Sequence, residues 1–185
     1  MATSLLSSVI NLLRGGDLRS IGRVAEVIER VGDDPVLFDA LLGAMFSDEP
    51  LVQMRAADAL EKISRKHPHL LQPHKALLLA PLPVGLRQEV RWHLPLLLCR
   101  LALNDEEWER AWQQIVHLLR SEQESRIVVV NAMQGLAHLS LASGRRQQET
   151  IVLIREAMAV GSPAVQARGR KLLAALERTR DDSYI

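Results

Sequence analysis

Cys99 with His93, the cluster His67-Pro68-His69 with His74, and the pair Trp108 and Trp112 are the groups in this 185-residue chain whose types invite chemistry. A thiolate nucleophile needs an imidazole placed to take its proton. The spacing of His93 and Cys99 puts them on different faces of one helix, and Cys99 lies in the apolar run Leu94 to Leu103. It reads as a buried thiol acting as a small hydrophobe. Zinc ligands sit in tight pairs on a rigid element, often with a thiolate or carboxylate among them. His67, His69 and His74 fall in a proline-broken turn, and no metal site is expected there. Trp108 and Trp112 share a helix face and read as packing between hairpins; their chemical use would be a stacking platform for a flat ligand or base. Asp105-Glu106-Glu107, directly after Asn104, reads as a helix start, because carboxylates there meet the positive end of the helix dipole. The chain contains no glycine-rich phosphate loop, Ser-His-Asp arrangement or helix-borne pair of metal ligands. No catalytic residue is assigned and no cofactor is expected.

The elements that would position these groups are helices. Hydrophobic residues make up 48% of the chain but aromatics only 3%, so the interior is built of Leu, Val, Ala and Ile, which suits closely stacked helices. Twenty-three basic residues against 22 acidic ones leave a net charge of +1, which argues against a dedicated nucleic-acid binder. One cysteine excludes an intrachain disulfide and fits a reducing compartment. The opening Met1 to Ile10 lacks the basic flank of a leader, and the longest uncharged apolar stretches are too short for a bilayer. The expectation is a soluble, cytoplasmic protein with no membrane partner.

Periodicity and its breakers predict about ten helices. The first ends at Gly15-Gly16 and the second, capped by Asp17, carries Ile21, Val24, Ala25, Ile28 and Val31. Asp34-Pro35 starts the third and Pro50 the fourth; a short fifth is broken at Pro73, and Pro81-Leu82-Pro83 forms an elbow. The sixth runs from about Gly85 to Leu103 with Pro95 bending it, and the others begin near Asp105, Glu124, Arg145 and Pro163. Residues 1–33 read as a capping hairpin, 34–180 as a continuous run of repeats and 181–185 as a tail.

One pattern recurs four times, at intervals of roughly 34–42 residues, where the second helix of a hairpin would begin. Val52 aligns with Leu86, Val128 and Val165; Ala56 with Val90, Ala132 and Gly169; Leu60 with Leu94, Leu136 and Leu173; and Ile63 with Leu97, Leu139 and Leu176. The segment Asp48 to Ile63, with its turn aspartate, valine, arginine and alanine-leucine core, resembles the second helix of a HEAT repeat, and Gly161 to Arg168 resembles a second copy. The copy at Leu86 departs most, with Glu89 at the arginine position and a proline in the helix. The resemblance implies an all-α, right-handed α–α superhelix of about five hairpins, with the second helices lining its inner face. It also implies that Asp48, Arg55 and Arg168 form a structural ladder between neighbouring repeats.

If the second helices line one face, residues between the core rows define its contact surface. One such row is Asp58, Trp92, Gln134 and Lys171; the other is Arg55, Glu89, Asn131 and Arg168. Their mixed charge fits a protein partner better than a phosphate backbone, which calls for cations at most levels. Trp92 is the candidate aromatic anchor. The segment Arg145 to Arg180 is locally basic, with eight arginines and lysines against three glutamates, and reads as the solvated end of the stack. The expectation is therefore a non-enzymatic scaffold or adaptor for another protein. The alternative is a nucleic-acid-binding HEAT-like protein related in fold to the alkylpurine DNA glycosylases, whose motif this sequence does not reproduce. A lyase-type HEAT protein handling a chromophore is a third reading, without a matching motif.

Overall fold

A computed structural model describes residues 2–15, 20–82 and 86–181. They form the helices α1 (Ala2–Leu13), α2 (Val24–Val31), α3 (Pro35–Ala44), α4 (Pro50–Lys66), α5 (Lys75–Leu78), α6 (Gln88–Leu98), α7 (Asp105–Arg120), α8 (Arg126–Ser143), α9 (Gln147–Val160) and α10 (Pro163–Asp181), with a 3-10 segment at Pro68–His74. The protein is all-helical, with no strand among the described residues. The expected Asp17 cap, the elbow beyond Leu82 and the tail beyond Asp181 lie outside the described residues. The chain divides into two compact units, Met1–Leu101 and Ala102–Ile185, with the boundary inside the run 34–180 that the sequence pattern treats as continuous.

Local chemistry sets several helix starts. Asp34 accepts from the amides of Val36 (2.8 Å) and Leu37 (3.1 Å), and Pro35 takes the first helical position of α3, where no amide proton is needed. Asn104 and Glu107 form a reciprocal capping box at α7, each side chain accepting from the other's amide at 2.9 Å. The second helix starts later than expected: α2 begins at Val24, buries Val24, Val27 and Val31, and leaves Ile21 exposed ahead of it. The sixth is shorter than Gly85 to Leu103, running from Gln88 to Leu98. Pro95 supplies no amide proton, and the helix ends within one turn of it. The short fifth element is a 3-10 segment through Pro73 followed by the single turn of α5.

In the first unit α1 packs on α2 and α3, while α4 packs on α1, α2, α3, α6 and the 3-10 segment. That position makes α4 interior around most of its circumference, and Gln53, Arg55, Glu61 and Ser64 are buried with its apolar residues. In the second unit α8 holds the corresponding place, packed on α7, α9 and α10, and α9 packs on α10. Short links join α7 to α8 and α9 to α10 as antiparallel neighbours. Gly169 lets α10 close on α9, since a methyl group there would collide with the Met158 thioether.

The aligned rows lie almost wholly in the two interiors. Val52, Leu86, Val128 and Val165 are buried, as are Ala56, Val90, Ala132 and Gly169, Leu60, Leu94 and Leu136, and Ile63, Leu97, Leu139 and Leu176. Leu173 alone is half-buried, because Leu172 turns inward beside it on the same side as Leu176. Each fully buried aliphatic side chain contributes about 1.5–3 kcal/mol, so these rows hold the helices together.

Candidate functional site

Four polar residues of α4, Gln53, Arg55, Glu61 and Ser64, serve the interior of the first unit. Arg55 is 1% exposed, and its guanidinium donates to the carbonyls of Leu13 (2.8 Å), Gly15 (2.6 Å) and Ser20 (3.0 and 3.1 Å). It therefore binds the C-terminal carbonyls that α1 leaves without helical partners. Asp48 is exposed in the turn before α4, where Ser47 rather than Asp48 accepts from the Glu49 amide (3.1 Å). One turn past Arg55, Asp58 is held by Lys62 at 2.7 Å. On α6, Glu89 pairs with Arg87 at 3.2 Å, and Trp92 is half-buried.

Behind these lies a charged node that the sequence pattern did not single out. Glu61 takes Arg65 at 2.6 Å and Arg100 at 2.6 Å, and Arg100 also donates to Ser64 (2.7 Å) and to the Glu61 carbonyl (2.9 Å). Burial pushes the Glu61 carboxyl up, but hydrogen bonds from Arg65 and Arg100 outweigh it and hold the group below its ordinary range. Burial lowers the pKa of His93; Asp58 and Glu61 oppose this, and Lys62 and Arg65 add to it. Its Nδ1 has no hydrogen-bond partner among the described residues.

The Cys99 thiol donates to the Leu96 carbonyl (3.4 Å), and burial pushes it up to about 11. With an ordinary value of 9.0, its thiolate population falls roughly a hundredfold below that of the unfolded chain near neutral pH. Iodoacetamide should therefore label native Cys99 about a hundred times more slowly than the urea-unfolded protein. Comparable rates at pH 8 would contradict this burial.

The three histidines do not converge. His67 and His69 stand edge to face at 6.0 Å, while His74 packs on Phe38 at 6.1 Å and lies 3.8 Å from Asp39. No group of three potential metal ligands is gathered among the described residues. A hollow of about 130 Å³ between the α3–α4 turn, α5 and α6 is lined by apolar residues such as Met45, Leu78, Leu86 and Leu94, which supply no reactive group.

In the second unit Trp108 and Trp112 stack at 5.3 Å and are 6% and 1% exposed. Arg145 and Arg146 lie against them, 5.7 and 5.6 Å from the ring centroids. Asp105 fixes Arg145 at 2.6 Å, and Glu109 and Glu149 fix Arg146 at 3.0 and 2.6 Å. These contacts offset the left-handed backbone of Arg146, whose φ is 50°. The stack is thus a closed structural layer. Arg155 is likewise paired, with Glu177 at 3.0 Å.

The face shared by α8 and α10 is different. A cleft of about 310 Å³ opens there, lined by Val130, Ala164, Ala167, Arg168 and Lys171. Arg168 Nη1 donates to Gln134 Oε1 at 3.1 Å. With its oxygen so engaged, the Gln134 amide nitrogen is the donor to His138 Nε2 at 2.6 Å. Arg168 and Lys171 are exposed, and no carboxylate pairs with either among the described residues.

Known proteins offer no guide to this site. No family model, curated protein or solved structure matches the chain. The geometry therefore has to speak for itself. Gln134, Arg168 and Lys171 come together at one cleft, with half-buried Asn131 next to its wall residue Val130. Asp58, Trp92 and Glu89 stand on α4 and α6 of the other unit, and Arg55 faces inward. Sequence reasoning missed the openness of the Ala164 and Ala167 floor. The signal was present as two alanines on the same side of α10 as Arg168 and Lys171.

Proposed function

We propose that this protein is a non-enzymatic adaptor: a right-handed α–α superhelix of HEAT type that holds a protein partner on the face lined by its second helices. Within the units these helices pack on one another, α2 on α4, α4 on α6 and α8 on α10, and their shared apolar rows are buried. The observation that carries the reading is the α8–α10 cleft, with an apolar floor, a polar rim and two cations open to solvent. Protein interfaces have this layout, with apolar contact at the centre and hydrogen-bonding groups around it. Asp58, Glu89 and half-buried Trp92 are the proposed contacts of the first unit. The nucleic-acid alternative draws nothing from Trp108 and Trp112, which are buried under Arg145 and Arg146.

A photo-crosslinking residue placed at Val130, in the cleft wall, tests the reading against one placed at Arg110, exposed on α7. Irradiation in a cell extract should give discrete protein adducts from the first and none from the second. Equal yields from both positions, or adducts with nucleic acid alone, would overturn it.

A further inference from the structure

Resting on the reading that the second helices form the contact face, we infer that the α8–α10 cleft takes an acidic, amphipathic segment of a partner protein. Neither wall supplies an anion. Helix α8 contains no aspartate or glutamate over its whole length, and α10 contains none from Pro163 to Leu176. Arg168 and Lys171 stand on one rim, separated by the spacing that places side chains on the same helix face. Elsewhere in this unit Arg145, Arg146 and Arg155 are tied to carboxylates of the chain itself. Positive charge is left open at the mouth of this cleft of about 310 Å³.

The floor specifies the rest of the occupant. Ala164 and Ala167 line it beside the wall residue Val130, and on α8 the face of Val130 continues outward as Ile127, 47% exposed. An apolar side chain of the partner lies against Val130 and Ile127, and carboxylates about one turn further on reach Arg168 and Lys171. Gln134, already donating to His138 and accepting from Arg168, holds the arginine over the cleft. A nucleic-acid strand fits less well. Two cations neutralise few phosphates, and the methyl-lined floor offers a ribose-phosphate chain nothing to bond.

Fluorescence anisotropy with the full chain tests this, using a labelled helical peptide with leucines one turn before paired glutamates. Its glutamine counterpart and a single-stranded oligothymidylate serve as competitors. The glutamate peptide should bind, and Arg168→Glu and Lys171→Glu should each weaken it about tenfold. Arg110→Glu should leave it unchanged, as should the melting curve of each variant, because all three side chains are exposed. Equal affinity for the glutamine peptide, unchanged binding by both cleft variants, or tighter binding of oligothymidylate through the same residues would each overturn the inference. Sequencing the segment crosslinked at Val130 separates this failure from that of the broader reading. A neutral or basic protein segment ends the acidic-partner claim and leaves the adaptor standing, while nucleic acid alone ends both.

Discussion

Replacing Arg55 with alanine should lower the stability of the first unit by about 3–5 kcal/mol and release α1 and α2 before anything else unfolds. Among the described residues the guanidinium gives hydrogen bonds to three carbonyls, two of them at the C-terminal end of α1, where a cation also meets the negative end of the helix dipole. Alanine leaves those acceptors without their donors and opens a void beside Gly22. That glycine has a φ of +56°, and a Cβ there would stand 2.7 Å from Arg55 Cζ, so Gly22→Ala should reproduce part of the loss through steric exclusion. Lysine should recover less than half, because one ammonium cannot span carbonyls that a planar fork reaches together. Urea melts give the magnitude, and hydrogen exchange gives the place: amides of α1 and α2 should lose protection while those of α3 keep theirs. Arg55→Met separates bonding from packing. If methionine were as stable as wild type, the desolvation of the guanidinium would equal all that its bonds contribute, and the anchoring role would fall.

How legible this was in the sequence depends on the distance over which each residue acts. Rows such as Val52, Leu86, Val128 and Val165 were readable because burial imposes a helical period that no other local pattern produces. The caps at Asp34 and Asn104 were readable because donor and acceptor lie within one turn. Arg55 was visible as an arginine in a repeat, but its carbonyl partners lie 35 to 42 residues upstream, and no window on the sequence joins them. The same limit applies to charge. The segment from Arg145 to Arg180 is locally basic in sequence, yet Arg145, Arg146 and Arg155 are met by Asp105, Glu109 and Glu177, each 22 to 40 residues away. With those pairs removed, the open charge of the segment lies on α10, at Arg168 and Lys171 on the cleft rim and at Arg170 and Arg178 outside it. The two contact rows looked mixed in sign for a related reason. Their acidic members, Asp58 and Glu89, belong to the first unit together with buried Arg55, and the exposed cations Arg168 and Lys171 to the second.

Glu61→Gln should cost about 3 kcal/mol at neutral pH, with a loss that shrinks as the solution is acidified. The side chain of Glu61 is 2% exposed and compensates two guanidiniums. Arg65 is 60% exposed and can turn to water when the carboxylate is neutralised, whereas Arg100 is 18% exposed and cannot. The cost therefore falls on Arg100, whose charge then faces a neutral amide in place of a carboxylate. The folded Glu61 carboxyl sits below its ordinary 4.5, so its contribution is complete above that pH and disappears as pH falls through the folded value. Wild type and Glu61→Gln should accordingly keep their difference above pH 4.5 and converge as the pH falls below it toward the folded value. His93 acts with the same sign in a higher window. Burial depresses it from 6.5, so the folded protein takes up this proton less readily than the unfolded chain, and stability is lost as pH falls from 6.5 toward that lower value. His93→Gln should flatten the first stage of acid destabilisation and Glu61→Gln the second. Denaturant midpoints measured across this range decide the matter. A stability difference between wild type and Glu61→Gln that held constant from pH 7 down to pH 3 would show that the carboxylate is not the charge that Arg100 requires.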